Sequence, residues 1–376
     1  MEYRKIGETK VSLLGFGCMR FPQGADGEID LAQTDAMLTK AYEAGVNYFD
    51  TAYVYHNQKS EEIAASFLKK FPRDTYYFAD KLPCWDASSV EKAKELLQTS
   101  LDRLGTDYID FYLLHALNKD SWKNMKERGI VEWLEGVKAS GVIRNYGFSF
   151  HDDYDTFIDI VNYRKWDFCQ IQINYMDVDE QAGMKGYEEC VKLGIPVVVM
   201  EPVKGGSLAM FPDDILAPLK AVNPDDSAAR WALRWCGTLP GVSVILSGMS
   251  SMAQVDDNLE TFKEFKPLSD TETKALDEHM ANTRSRKFNN CTWCNYCMPC
   301  PAGVNIPRIF RLLNNFAMYA NKGDVKWNYE HEIPDSQKPD KCVNCGKCVS
   351  HCPQHIAIPE DLKTAGANIK DIIASL

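Results

Sequence analysis

Between residue 11 and about residue 262 the chain alternates short runs rich in β-branched and aromatic residues with longer runs whose apolar positions recur every three or four residues. Eight of the short runs read as strands: SLLGFG, NYFDTA, YYFADK, YIDFYLLH, NYGFSF, FCQIQIN, PVVVM and VSVILS. The longer runs, among them LAQTDAMLTKAYEAG, SVEKAKELLQTSLDRLG and DSAARWALRWCG, read as amphipathic helices. Gly45, Gly105 and Gly141 stand where such helices end in a left-handed residue. Strands alternating with helices call for a parallel sheet with crossover helices. Eight such units in about 250 residues match a closed α/β barrel, the (β/α)8 or TIM barrel, in count and size. A doubly wound open sheet is the alternative, but no G-x-G-x-x-G follows the first strand.

After Phe262 the pattern changes. KEFKPLSDTETKALDEHMANTRSR is charged and helix-prone, and reads as a connector. The last ninety residues then hold eight of the 13 cysteines, and IPRIFRLLNNFAMYANKG reads as helix. The expected organisation is a barrel over 1–284 and a small, mainly helical domain over 285–376.

With 45% hydrophobic and 25% charged residues in 376, the chain can bury a large core. Its net charge of -11 resides in the barrel region, while the tail is mildly basic. An acidic body speaks against nucleic acid as a partner, and the tail is either a solvated face or a surface for an acidic protein. MEYRKIGETK lacks the apolar stretch of an export signal, and the longest apolar runs, such as IPVVVM, are only strand-length. The expected location is therefore cytoplasmic, with no membrane partner. Thiols stay reduced there, so the cysteines read as metal ligands or core residues rather than disulfides.

Polar side chains at the C-terminal ends of barrel strands face the open mouth. Four stand out: Asp50 in FDTAYVY, Tyr55 five residues on, Lys81 closing YYFADK and His115 closing FYLLH. A phenol with a pKa near 10 is a poor acid at neutral pH, but a neighbouring ammonium favours its phenolate. Lys81 can supply that ammonium, and Asp50 can keep it charged and oriented. His115 can donate a hydrogen bond to a substrate carbonyl where negative charge develops. Singly, these residues have plainer roles as a turn residue, a rim aromatic, a surface charge and a buried imidazole. Together, in order on consecutive strands, they suit protonation of an alkoxide as hydride arrives.

This constellation resembles the aldo-keto reductase family, from YRKIGETKVSLLGFG through NYFDTAYVYHNQKSEEIAASFLK to ILSGMSSMAQVDDNLE. The resemblance implies a nicotinamide dinucleotide, NADP(H) or NAD(H), bound without a Rossmann domain, a small carbonyl or alcohol substrate, and Tyr55 as proton donor. It implies further that Ser149 and Gln170 hold the nicotinamide carboxamide. In MEPVKGGSL, Met200, Pro202, Lys204, Gly205, Gly206 and Ser207 become cofactor-binding candidates, with Met200 against the ring and the Gly pair and Ser207 near the pyrophosphate. A Gly pair beside Lys204 gives close backbone approach and positive charge. Gly248, Gln254, Asp257 and Asn258 fall at the adenosine end. Many members carry basic residues at the first two of these positions, against a 2′-phosphate, so both NADP and NAD stay open. Phe150 replaces the asparagine common after the serine, and Met200 stands where many members stack an aromatic ring. Arg20, His56, Trp85 and His151 are candidates to line the substrate pocket, Arg20 either as partner of a substrate carboxylate or as a structural ion pair.

In the tail, Cys291, Cys294, Cys297 and Cys300 form C-x2-C-x2-C-x2-C-P, and Cys342, Cys345, Cys348 and Cys352 form C-x2-C-x2-C-x3-C-P. The second is the spacing of bacterial ferredoxins. Three thiolates within seven residues can wrap three corners of a cubane, whereas zinc sites pair two separated C-x2-C knuckles. The spacing favours iron-sulfur over zinc. The resemblance is to two-cluster 4Fe-4S ferredoxins and implies exchange of the fourth ligands: Cys291, Cys294, Cys297 and Cys352 around one cluster, Cys342, Cys345, Cys348 and Cys300 around the other. With 41 residues between the motifs and a helical insert, a helix-rich variant is expected. Cys18, Cys84, Cys169, Cys190 and Cys236 read as small buried hydrophobes, with Cys84, just past Lys81, the candidate reactive thiol.

Hydride carries two electrons and a cluster passes one, so coupling them needs a two-electron gate such as flavin, for which no motif is visible. Three functions are compatible: a nicotinamide-dependent carbonyl reductase whose clusters are structural, regulatory or an outlet to an electron-transfer protein; a ferredoxin-linked redox enzyme; and a non-catalytic redox-sensing or docking module. The first is expected, and the third is opposed because a retired site has no reason to keep a buried charge pair.

Overall fold

The computed structural model describes residues 1–376, which divide into two compact units, 1–205 with 229–268 and 206–228 with 269–376. The first begins with an antiparallel hairpin of β1 (Tyr3–Ile6) and β2 (Thr9–Ser12), turned at Gly7 with φ +57°. Eight parallel strands follow: β3 (Leu14–Gly17), β4 (Tyr48–Asp50), β5 (Tyr77–Pro83), β6 (Ile109–Leu117), β7 (Ile143–Phe150), β8 (Phe168–Gln172), β9 (Val197–Met200) and β10 (Val242–Ser247). Each pairs with its neighbours in chain order, and β10 returns to β3, with Leu246 opposite Gly15. The expected (β/α)8 barrel is the fold.

The predicted strand SLLGFG is divided, Ser12 ending β2 and Leu14 opening β3. The hairpin escaped the pattern because its charged residues face outward and only Ile6 and Val11 reach the barrel interior, beside Tyr48, Phe111 and Phe168. Ser243, near the start of β10, donates to the Lys5 carbonyl at 3.0 Å. The hairpin thus closes the N-terminal end of the barrel and leaves the C-terminal mouth for chemistry.

The helix Val90–Leu104 shows how sequence makes the outer layer. The Ser89 side chain accepts from the Lys92 amide at its start, and Gly105 ends it at φ +60°. Its buried apolar residues, Ala93, Leu96, Leu97, Leu101 and Leu104, recur at the spacing of one helix face.

The second unit contains no strand, as the helix-rich expectation requires. In it, helix Asp270–Ser285 starts with a capping box of Ser269 and Glu272, and His279 Nδ1 meets the Ile215 carbonyl of helix Asp213–Val222 at 2.9 Å. Helices Ile306–Tyr319 and Ile358–Ala374 bury Ile309, Phe310, Leu313, Leu362 and Ile369 in a common core. Each follows one cysteine loop, and each opens with Ile-Pro. No helix of the chain is long and apolar enough to cross a membrane.

Candidate active site and cysteine-lined cavities

Asp50 ends β4, but β5 runs two residues past Lys81 and β6 two past His115. Lys81 is fully buried and donates to Asp50 Oδ1 at 2.7 Å and to the Thr51 carbonyl at 2.6 Å. Its Nζ lies 4.8 Å from the centroid of the Tyr55 ring. The His115 ring stands edge-on to Tyr55 at 6.0 Å, and Trp85 covers it at 5.1 Å. All four residues of the sequence constellation therefore meet at the mouth.

Burial works against the Lys81 ammonium, but Asp50 and Tyr55 outweigh it, so the lysine stays charged above its ordinary range. Burial pushes the Asp50 carboxyl up and Lys81 pulls it back; with the amine at 2.7 Å we take it as the carboxylate. Lys81 favours the Tyr55 phenolate as expected, but it does not acidify the phenol on balance. Burial raises the phenol, Lys81 lowers it, and the net direction is upward. Tyr55 is thus protonated at neutral pH, the state a proton donor needs. Burial, then Lys81 and His151, hold His115 well below 6.5, hence neutral.

Backbone strain aims these groups. The β6–β7 register shifts between Leu114 and Leu117, where Ala116 takes φ +52° and its N–H donates to Ser149 Oγ at 2.8 Å. His56, Asn57 and Gln58, just after Tyr55, are all left-handed, with φ +50°, +53° and +69°. The turn is anchored by His56, whose Nε2 accepts from the Phe21 N–H at 3.2 Å and whose ring stacks on Phe21. Thr51, Ala116 and Phe21 act through main-chain atoms, so residue type gave no sign of them.

Ser149 and Gln170 are register partners on β7 and β8, both buried. Gln170 Nε2 contacts Met200 Sδ at 3.7 Å, while Gln170 Oε1 is buried with no partner, as is His115 Nδ1. An orphaned buried acceptor is costly unless a ligand donor completes it, so Gln170 fits the amide of a nicotinamide. In the loop after β9, Pro202 is buried, and Gly205 and Gly206 are left-handed at φ +61° and +96°; with Ser207 they lie in the short turn Lys204–Ala209. Lys204 is ion-paired with Asp177 at 2.5 Å. Gln254 Oε1 accepts from the Ser250 amide, Asp257 pairs with Arg230 at 3.2 Å, and Asn258 donates to Ser247 Oγ. Gly248 leaves room for Arg20, whose Cγ would lie 2.8 Å from a Cβ there. Cys84 is buried and its thiol is pushed up to about 12, which disfavours the thiolate that a reactive cysteine needs.

In the tail the cysteines surround two cavities. Cys291, Cys294, Cys297 and Cys352 line one; Cys300, Cys342, Cys345 and Cys348 line the other. These are the two exchanged sets. Apart from the sulfurs the walls are mostly apolar, with Ile306 shared by both. Burial, and then neighbours including Cys294 and Cys352, raise the Cys291 thiol; burial, Cys342, Cys300 and Cys345 raise Cys348. No three His, Cys, Asp or Glu converge on a point suited to a single ion. Thiols ringed around an apolar cavity fit a polynuclear cluster better than tetrahedral zinc.

Residues 13–281 match the aldo/keto reductase family and residues 290–357 the 4Fe-4S dicluster domain. The chain belongs to the aldo/keto reductase family and carries a 4Fe-4S dicluster domain C-terminal to the barrel in sequence. It is similar to an uncharacterized oxidoreductase, YqkF, of Bacillus subtilis, 28% identical over 74% of this chain and 96% of that one. It is likewise similar to L-galactose dehydrogenase of Arabidopsis thaliana, 27% identical over 81% and 98%. Among solved structures, the holo form of an aldo-keto reductase from Bacillus halodurans is 28% identical over 74% of this chain and 96% of that one, with a TM-score of 0.63.

Proposed function

We propose that this chain is a nicotinamide-dependent carbonyl reductase, or the alcohol dehydrogenase of the reverse direction, acting in the cytoplasm on a small substrate. The bound NADP(H) or NAD(H) supplies the hydride chemistry. The chain's own part is the proton and the geometry. Tyr55 protonates the forming alkoxide, Lys81 lowers the cost of the phenolate left behind, Asp50 holds Lys81, and neutral His115 donates to the carbonyl oxygen. Ser149 and Gln170 hold the carboxamide, Met200 meets the ring, and Pro202, Lys204, Gly205, Gly206 and Ser207 border the pyrophosphate. Gly248, Gln254, Asp257 and Asn258 take the adenosine end. This machinery belongs to 1–284, and 285–376 holds two 4Fe-4S clusters on the exchanged cysteine sets.

The observation that carries the reading is Lys81, fully buried between a carboxylate at 2.7 Å and a tyrosine ring at 4.8 Å. The decisive experiment is reduction of an aldehyde and ketone panel with NADPH or NADH by anaerobically purified protein, beside Tyr55→Phe. The variant should lose about 10²- to 10⁴-fold in kcat/KM; undiminished reduction removes Tyr55 from the mechanism. A second reading, in which one-electron carriers feed the enzyme, is favoured by the two cysteine-lined cavities. Turnover with a reduced carrier but not with nicotinamide would select it.

A further inference from the structure

The two cysteine loops share one backbone shape. The residues on either side of the middle cysteine are left-handed in both: Trp293 (φ +59°) and Asn295 (φ +60°) in the first, Asn344 (φ +54°) and Gly346 (φ +71°) in the second. Positions can therefore be compared one by one. In the first loop the Trp293 ring lines the cavity, with the Arg311 guanidinium 3.8 Å from its centroid. A tryptophan is a poor resident of left-handed backbone, so the stacking must offset that cost. In the second loop the matching residue is the small Asn344, Asn295 is matched by Gly346, and Tyr296 by Lys347. The second cavity is therefore bordered by smaller side chains, without being more open than the first.

Its surroundings differ too. An open groove leads from Cys342 and Asn344 along helix Ile358–Ala374, past Tyr329, Lys363, Gly366 and Lys370. Val343 is 69% exposed and Val349 39%. Between Lys341 and Pro359 there is no acidic residue. Lys347, Lys363 and Lys370 are exposed. Of the groove's carboxylates, Asp340 is already paired with Lys341 at 2.9 Å, leaving Glu360 and Asp371.

We propose that this face is the docking surface for an acidic one-electron carrier protein, and that electrons enter or leave the tail here rather than past Trp293. The proposal rests on the iron-sulfur reading of the tail and not on the chemistry assigned to the barrel. Lysines steer the acidic partner, and Val343 and Val349 give it an apolar patch from which water is excluded. Each encounter exchanges one electron: the carrier is oxidised by one as the centre on Cys300, Cys342, Cys345 and Cys348 is reduced by one, or the reverse. No bond is made or broken.

The test is calorimetric titration of the full-length anaerobic holoprotein with an acidic ferredoxin, and with basic cytochrome c as control, at low and high salt. Salt-sensitive binding of the ferredoxin alone is expected. Lys347→Glu with Lys363→Glu should weaken it about tenfold or more, and Tyr296→Ser in the first loop should leave it unchanged. No binding at low salt, equal binding by the charge-reversed variant, preference for the cytochrome, or loss through Tyr296→Ser would each overturn the proposal. Iron and sulfide are measured on the same samples. Zinc in place of iron sinks the underlying reading, whereas full iron without charge-dependent binding sinks the docking surface alone.

Discussion

In the barrel, Asp50, Lys81, Tyr55 and His115 come from separate stretches of chain, and their central charge is already met inside the protein, by Asp50 at 2.7 Å and the Thr51 carbonyl at 2.6 Å. In the tail, eight cysteines come from two short stretches and stand around cavities walled otherwise by residues such as Ile306, Phe310 and Leu362. The first arrangement is preorganised, so its polar groups need no ligand to hold their places. The second is completed by what it binds, and there binding energy is also folding energy. The buried lysine has to be strong in structure before it can be useful in chemistry; the thiols need only be correctly spaced.

The largest effect that can break this contrast lies at Lys81. Lys81→Met should reduce carbonyl reduction to the level of Tyr55→Phe and, by leaving Asp50 buried and unpaired, cost about 3–5 kcal/mol of barrel stability. Urea unfolding measures the loss, and iron content should not change. A stable, active variant would mean that the pair is not the keystone of the site.

The cysteines give the next test. Cys352→Ser and Cys294→Ser should both abolish one cluster, and Cys300→Ser and Cys345→Ser the other, each variant retaining about half of the iron. Electron paramagnetic resonance of the reduced proteins separates the two signals. If Cys352→Ser instead removes the signal lost in Cys345→Ser, the fourth ligands are not exchanged.

The smallest effect concerns His115. Burial, and then Lys81, keep its folded pKa well below 6.5. As pH falls below about 6.5 the unfolded chain takes a proton that the folded one refuses, so stability is lost on acidification, by at most about 1.4 kcal/mol per pH unit. His115→Gln should lose less between pH 7.5 and 5.5 than the parent, read as the difference in urea midpoints. Equal losses would mean that His115 is protonated in the folded barrel.

Much of this molecule is legible in one dimension, and particular residues show where legibility stops. Strand period, helix period and glycine at helix ends are local, so the eight barrel strands could be read from the chain, while the hairpin, with only Ile6 and Val11 turned inward, could not. Cys84 lies near Lys81 in sequence, a place that suggests reactivity, but burial raises its thiol and disfavours the thiolate. Nothing local to Lys204 reveals its ion pair with Asp177, distant in sequence. Asp80 and Lys81 are adjacent, but strand alternation sends them to opposite faces. One is paired, while burial and Glu61 push the other's carboxyl far up.

By itself, then, the sequence determined the period of each element, the spacing of the thiols and the identity of the four groups at the barrel mouth. Only the tertiary structure decided their ionisation, the orphaned Gln170 acceptor and which cysteines line which cavity. The reason is physical: spacing is a property of neighbours along the chain, whereas desolvation and pairing are sums over neighbours in space.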